Sequence, residues 1–263
     1  MILDPKRFSA AHTFDCGQCF RWMRQPDGSY KGVAGGRPAT IYDKDGRAVI
    51  ECDPGDLDYF NNYLDLDRDY ASIALSFPRD DFTTAAIEHG YGLRILRQEP
   101  WEALISFIIS QCNNIQRIQG IISRLCSLFG DKIADDLYAF PTAERLAQLC
   151  EEDLAPLRAG YRAAYILSAA KSVASGSFVP DDIYSMDTPE ARKALMSLNG
   201  VGGKVADCVL LFGYGKLDAF PVDTWMKKAR AYYPGGMDPA SFGCYAGIAQ
   251  QYIFYYARSG MKK

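Results

Sequence analysis

Leu198-Asn199-Gly200-Val201-Gly202-Gly203-Lys204 lies between two apolar patterns of helical period. Its glycines permit a tight turn with positive φ and let backbone N–H groups come close to a bound group. A helix over Lys204–Phe212 is predicted to follow. Its N-terminal amides and dipole face back toward the turn, which makes a ready phosphate site. The G-x-x-x-x-G-K-[ST] spacing of a nucleotide P-loop is absent. Read alone, the segment is equally a glycine-rich connection between helices. Within the helix, Val205, Val209 and Phe212 form an apolar stripe, and Lys204 and Cys208, four apart, stack on a neighbouring face. A lysine beside buried surface loses its proton readily and can act as a nucleophilic amine; the ordinary alternative is a lysine that snorkels to the surface.

Asp223 follows Lys204 by nineteen residues, within Phe220-Pro221-Val222-Asp223-Thr224-Trp225-Met226-Lys227-Lys228. It precedes a helical run and is placed to be its N-cap. Capping alone accounts for it, yet a capping carboxylate that faces a cleft could also stabilise positive charge on a sugar. Further out, Pro100 opens a helical repeat of Trp101, Leu104, Ile105 and Ile108, and Ile118, Ile121, Ile122, Leu125 and Leu128 repeat again. Thr188-Pro189-Glu190 predicts a helix start ahead of Ala191–Leu198. The N-terminal part differs. Short β-prone runs at Cys19–Met23, Ser29–Val33, Ala39–Tyr42 and Ala48–Cys52 are separated by Pro26-Asp27-Gly28, Gly35-Gly36 and Asp45-Gly46, the pattern of an antiparallel meander. The expected fold class is α+β. A strand-rich domain over residues 1–98 precedes a helical domain over residues 99–263, helical periodicity setting in after an acidic segment.

The chain has 263 residues, 48% apolar and 23% charged, close to the globular average, which excludes disorder, collagen and coiled coil as descriptions of the whole. The apolar stretch Ala103–Ile109, interrupted by Ser106, falls far short of the roughly 18–20 residues of a membrane span. MILDPKRFSA shows no basic-then-apolar leader, so a cytoplasmic protein without a targeting signal is expected. Eight cysteines at irregular spacing point to reduced thiols. Cys16-Gly17-Gln18-Cys19 has redox or metal spacing, but neither a second pair nor a βαβ pattern accompanies it, and no metal is expected. His12 and His89 are too isolated to propose as catalysts. The net charge of −3 hides an uneven distribution. Residues 51–81 hold nine acids against two arginines, whereas residues 192–230 hold seven bases against three acids. A local basic surface is therefore retained, and local potential is what binds phosphate.

LNGVGGKVADCVLLF…AFPVDTW resembles the helix-hairpin-helix, Gly/Pro-rich loop and aspartate of the base-excision DNA glycosylase superfamily. FDCGQCFRW (Phe14–Trp22), LRILRQEPWEALISFIISQCNNIQRI (Leu93–Ile118) and LRAGYRAAYI (Leu157–Ile166) narrow the resemblance to the 8-oxoguanine DNA glycosylase family. The matching segments run in order over almost the whole chain. The resemblance implies a twisted antiparallel N-terminal sheet joined to a helical DNA-binding body, in agreement with the independent strand-then-helix reading. It implies a bifunctional repair enzyme. Such an enzyme flips 8-oxoguanine out of duplex DNA, cleaves its N-glycosidic bond through a lysine Schiff base and nicks the strand by β-elimination.

By position, Lys204 matches the family's catalytic lysine and Asp223 its catalytic aspartate. Gly17 matches a glycine whose carbonyl faces N7, the atom at which the lesion is a donor and guanine an acceptor. Gln250 would bond the Watson–Crick edge, with Phe254 and Cys208 on the two faces of the base. Tyr161 matches a wedge, and Arg162 and Arg117 match arginines that read the orphaned cytosine. Asn113 and Asn114 match two of three asparagines; Cys112 replaces the first, and because a thiol bonds weakly a relaxed opposite-base preference is expected. Gly200, Gly202 and Trp225 are expected to touch DNA. The resemblance implies no iron–sulfur cluster, the C-terminal four-cysteine run being missing, and allows a cation on the hairpin carbonyls. The partner implied is double-stranded DNA containing 8-oxoguanine, with no membrane, for a monomer working at a bacterial-type nucleoid. Two other readings stay open: an alkylated-base glycosylase of the same superfamily, a class that generally lacks the hairpin lysine, and a non-catalytic helix-hairpin-helix DNA-binding module.

Overall fold

Five strands, β1 (Ile2–Leu3), β2 (Met23–Arg24), β3 (Tyr30–Ala34), β4 (Arg37–Lys44) and β5 (Arg47–Cys52), form an antiparallel sheet in the order β1-β5-β4-β3-β2. The computed structural model describes residues 1–3, 7–45, 47–233 and 236–260. Gly35-Gly36 joins β3 to β4 with φ of +54° and +76°, the double-positive turn whose twist suits a two-residue hairpin. Asp27 Oδ1 accepts from both the N–H and the hydroxyl of Ser29, closing the turn before β3. Gly46, of the third expected turn, lies outside the described residues. The expected strand over Cys19–Met23 forms only at Met23. Its side chains serve two cores, Phe20 facing the helical body and Cys19 and Trp22 the sheet, so no single pleated face exists there.

Among the described residues, α1 (Ala10–Phe14) precedes the sheet's second strand, and α2 (Leu57–Tyr63), α3 (Tyr70–Leu75) and α4 (Asp81–His89) occupy the acidic segment. Helical structure therefore starts inside that segment, earlier than the periodicity indicated. The aspartates are the reason. Asp69 and Asp80 cap α3 and α4 through the N–H groups of Ser72 and Thr83. Asp65 is buried between Arg68 (2.6 Å), Arg97 (2.5 Å) and the Tyr70 hydroxyl (2.9 Å). The negative charge of this segment goes into helix starts and ion pairs.

The remaining helices are α5 (Pro100–Ser110), α6 (Ile115–Phe129), α7 (Ala143–Ala147), α8 (Arg162–Ala174), α9 (Asp182–Ser185), α10 (Thr188–Leu195), α11 (Gly203–Phe212), α12 (Thr224–Ala231) and α13 (Ala246–Tyr255). A short ribbon, β6 (Lys132–Ala134) and β7 (Leu137–Tyr138), interrupts them. α10 begins at Thr188 because Asp187 is its cap, taking the Glu190 N–H at 2.8 Å; the Thr188 hydroxyl bonds Asp218 instead. No helix among the described residues is long and apolar enough to cross a membrane.

Two cores meet along residues 93–98. The sheet core holds Phe14, Trp22, Ile41 and Ile50 against Phe60 and Tyr63 of α2, and the helical core runs from Tyr70 on α3 to Ile253 on α13. Each such fully buried side chain contributes about 1.5–3 kcal/mol. Gln18 joins them through its buried amide, which donates to the Thr13 and Arg94 carbonyls (2.9 and 2.6 Å) and accepts the Leu96 N–H (2.9 Å). Gln98 donates through its side chain to Gln18 O and through its N–H to Phe212 O, at 2.7 and 2.8 Å. The turn carrying Gly17 is thus fastened to the end of α11.

Candidate active site

α11 starts at Gly203, one residue ahead of expectation, with Gly202 at the cap position. Gly200 has φ +81°, and a Cβ there would overlap the Tyr165 ring of α8. Its carbonyl accepts from Gln111 Nε2 at 3.0 Å, which ties the hairpin to the end of α5. Gly202 is exposed and a Cβ on it would meet nothing. Part of the basic excess is internal: Arg192 pairs with Asp207 at 2.7 Å and Lys216 donates to Met186 O. Lys193, Lys227, Lys228 and Arg230 are exposed, with Lys228 Nζ 4.4 Å from the half-buried Trp225 ring centroid.

Lys204, on the first turn of α11, opens into a small cavity of about 40 Å³. Cys208 and Phe212 line it from the same helix, and Gln250, Gln251 and Phe254 line it from α13. Gly17, Phe107, Pro221 and Asp223 complete the wall. Lys204 Nζ lies 5.2 Å from the Phe107 ring centroid. Asp223 caps α12 as expected, its Oδ1 taking the N–H groups of Trp225 and Met226, both at 2.9 Å. Burial pushes the Cys208 thiol up, and the neighbouring Lys204 draws it partway back. Gln250 is 3% exposed, and its Oε1 is the one buried side-chain oxygen or nitrogen among the described residues with no hydrogen-bond partner. A larger hollow of about 760 Å³ lies beside α8, from Cys150 to Ser177, but no orphaned buried atom faces it. The small cavity is the better candidate on that ground.

The other expected residues gather on a surface beyond the hairpin. Cys112 is exposed and left-handed, with φ +48°. Asn114 caps α6 by accepting the Arg117 N–H at 2.9 Å, and Asn113 Nδ2 donates to Ile109 O at 3.2 Å. Arg162 is 3% exposed, with donors engaged by the carbonyls of Gln111, Cys112 and Ala159. Its guanidinium carbon sits 4.5 Å from the Tyr161 ring centroid, and Tyr161, 53% exposed, makes an edge contact with Tyr165. Arg117 reaches Arg158 O at 3.5 Å and is otherwise exposed. Tyr161, Tyr165, Gly200 and Gln111 therefore link this surface to the hairpin.

Cys16 and Cys19 are buried, and burial raises both thiols, which disfavours thiolate chemistry. No group of three or more His, Cys, Asp or Glu among the described residues is arranged to hold a metal. His12 and His89 pack against each other, ring centroids 6.4 Å apart, and against Tyr255. Sequence reasoning missed Phe107, Gln111, Gln251 and Arg258. Phe107 sits on an apolar helix with no distinguishing spacing, and the others act on backbone far away in sequence.

A family profile for the 8-oxoguanine DNA glycosylase N-terminal domain matches residues 1–104, and one for the HhH-GPD superfamily base excision DNA repair protein matches residues 105–233. The N-glycosylase/DNA lyase OGG1 of Arabidopsis thaliana is 30% identical over 92% of this chain and 75% of its own length. The structure of MBOgg1 in complex with a low affinity DNA ligand superposes with a TM-score of 0.91 at 40% identity, covering 98% of this chain and 94% of the other. The Clostridium acetobutylicum 8-oxoguanine glycosylase/lyase, bound to double-stranded DNA with cytosine opposite 8-oxoG, gives 0.89 at 36% identity, covering 97% and 93%. The agreement extends over both the sheet and the helices, and on it the chain belongs to the 8-oxoguanine DNA glycosylase family.

Proposed function

We propose that the protein excises 8-oxoguanine from duplex DNA and then nicks the strand, with Lys204 as nucleophile. The observation that carries this reading is the meeting in one pocket of an amine (Lys204), a carboxylate (Asp223) and an orphaned buried amide oxygen (Gln250). Leaving such an acceptor unpaired costs about 1–3 kcal/mol. The Watson–Crick edge of 8-oxoguanine carries N–H donors that would satisfy it. Gly17 would present its carbonyl to N7–H, and guanine, with a lone pair there, would be repelled. Phe254 and Cys208 would flank the base. In this reading residues 1–98 contribute Gly17 and residues 99–263 the remaining groups.

The target base must leave the stack before its C1′ is reachable. A cavity of about 40 Å³ is far below the roughly 300–1,000 Å³ of a ligand-filled site, so the flipped base has to widen it. Lys204 Nζ, as the free amine, attacks C1′ while the C1′–N9 bond breaks and its electron pair leaves with the base. The negative Asp223 stabilises the positive charge spread over C1′ and the ring oxygen. Opening of the sugar ring gives an imine between Nζ and C1′, and loss of a C2′ proton then expels the 3′ phosphate. Tyr161, Arg117, Asn113 and Asn114 would engage the gap and the orphaned base, and Gly200, Gly202 and Trp225 the phosphates. Arg162, its donors already held by backbone carbonyls, would keep the Gln111–Cys112 turn in place. A cation on the hairpin carbonyls would belong to the same phosphate contact.

Borohydride trapping on a duplex containing 8-oxoguanine tests the reading. A covalent adduct is expected with the parent and none with Lys204→Gln. Adduct formation by both would sink the assignment. Release of alkylated bases without any adduct would favour the alkylated-base alternative, and DNA binding without base release the non-catalytic module.

A further inference from the structure

Three carbonyls around Gly17 are held by side chains from elsewhere in the chain, and that of Gly17 is not. Arg258 Nη2 donates to Asp15 O, Gln251 Nε2 donates to Cys16 O at 3.3 Å, and Gln98 Nε2 donates to Gln18 O at 2.7 Å. Among the described residues the Gly17 carbonyl accepts no hydrogen bond. Arg258 also lies directly on Gly17. Its Nη1 is 2.9 Å from where a Cβ would sit, and its guanidinium carbon is 5.6 Å from the Phe254 ring centroid. The next residue anchors the Arg258 turn: the Ser259 hydroxyl donates to Tyr255 O at 2.7 Å and meets His89 Nε2 at 2.9 Å.

We propose that Arg258 and Gln251 are positioning residues that set discrimination between 8-oxoguanine and N7-unprotonated purines by immobilising the Gly17 carbonyl. The inference rests on the proposed recognition role of Gly17. A carbonyl facing N7 attracts the lesion and repels guanine only while it stays in place. Gly17 has φ +86° and no side chain, so its peptide planes turn more easily than those of any other residue. A loose carbonyl would still be drawn to an N7–H donor, but it would tilt away from a lone pair, and the repulsion would vanish. Bonds to the carbonyls on both sides remove that freedom. The bond from Arg258 is charge-assisted and therefore the stronger restraint. Loss of the restraint should relieve the penalty on the wrong base and leave affinity for the right one nearly intact.

The experiment measures duplex affinity in a Lys204→Gln background, which does not turn over. Two probes are compared opposite cytosine: 8-oxoguanine, and 8-bromoguanine, which also carries a substituent at C8 but keeps the N7 lone pair. Their affinity ratio cancels phosphate contacts and any change of net charge. Arg258→Met is expected to lower the ratio roughly five- to tenfold, about the worth of one hydrogen bond. Arg258→Lys should restore part of it, and Gln251→Met should lower it less. A ratio unchanged in Arg258→Met, or both affinities falling together, would overturn the proposal. Arg258 is only half-buried, so its truncation leaves the cores intact even if Gln251→Met fails to fold. Gln250→Leu separates the two levels of argument. If it leaves affinity for the 8-oxoguanine duplex unchanged, the pocket reading fails. If it lowers that affinity while Arg258→Met leaves the probe ratio unchanged, only the positioning role fails.

Discussion

The pocket and the Cys112 surface use similar side chains and spend their hydrogen bonds in opposite ways. Around the pocket, side-chain donors fix backbone, and among the described residues Gln250 Oε1 and the Gly17 carbonyl accept no hydrogen bond. At the Cys112 turn the Arg162 guanidinium is consumed by three carbonyls, and Asn113 and Asn114 finish the ends of two helices. An unpaired acceptor in a rigid frame demands a particular donor. A surface whose donors are committed must select by shape and by its few free groups, chiefly Tyr161 and Arg117. On the proposed function, the damaged base is chosen by the interior and the opposite base by an exposed turn, where a change such as Cys112 is tolerated.

The contrast breaks if pocket residues prove dispensable, and the largest effect is expected there. Lys204→Gln should abolish trapping and slow single-turnover excision by roughly 10⁴-fold or more, with duplex affinity within a few-fold of the parent. Full activity of this variant would remove the pocket from the chemistry. Asp223→Asn should slow excision by roughly 10²–10³-fold, the worth of a well-placed stabilising group. Because asparagine caps helices as well as aspartate, thermal unfolding should stay unchanged. A variant destabilised but fully active would mean that Asp223 serves only as a cap.

Duplex affinity tests the basic surface as a whole. Arg192 and Lys216 are engaged internally, which leaves about four exposed bases on that stretch. Binding should weaken roughly 10²-fold between 50 and 200 mM salt, since each neutralised phosphate releases counterions. A flat salt response would put the phosphate contacts elsewhere.

The smallest effect concerns Cys112. Asparagine tolerates a left-handed φ better than cysteine, so Cys112→Asn should raise stability by about 0.5–1 kcal/mol in denaturant unfolding. It should also sharpen the preference for cytosine roughly tenfold, within the range of a good base-edge contact. Excision opposite each of the four bases measures this. An equally strong preference in parent and variant would leave the discrimination to Arg117.

The hairpin was legible because its signals are local. Gly200, the start of α11 and the Asp223 cap each follow from a few consecutive residues, and the structure departs from them by one residue at most. The four-residue spacing of Lys204 with Cys208 likewise carries through to one cavity wall, and Gln250 and Phe254 line the same cavity from α13. Errors arose where one run serves two masters. Cys19–Met23 alternates like a strand but divides between cores, and helical periodicity is expected only after residues 51–81, where aspartates already act as helix caps. Arg258 and Gln251 were invisible because their partners lie 243 and 235 positions away, beyond any periodic pattern. The commitment of Arg162 to buried carbonyls was hidden for a related reason, since its partners sit about fifty positions away on another helix end.

On the proposed positioning role, the clasp between Arg258 and Asp15 also sets when the molecule becomes selective during its own synthesis. All five strands of the sheet have been made once Cys52 is reached, and the partners of its core, α2 and Leu96, follow soon after. The turn bearing Gly17 must then wait for residue 258. At roughly 5–20 residues per second that interval is about 10–40 s. Closing so long a loop belongs among the slow, non-local events of folding. A nascent chain should therefore acquire its N-terminal sheet early and its selective pocket last. On the proposed positioning role, a chain not yet extended to residue 258 would tell a damaged base from a sound one less sharply.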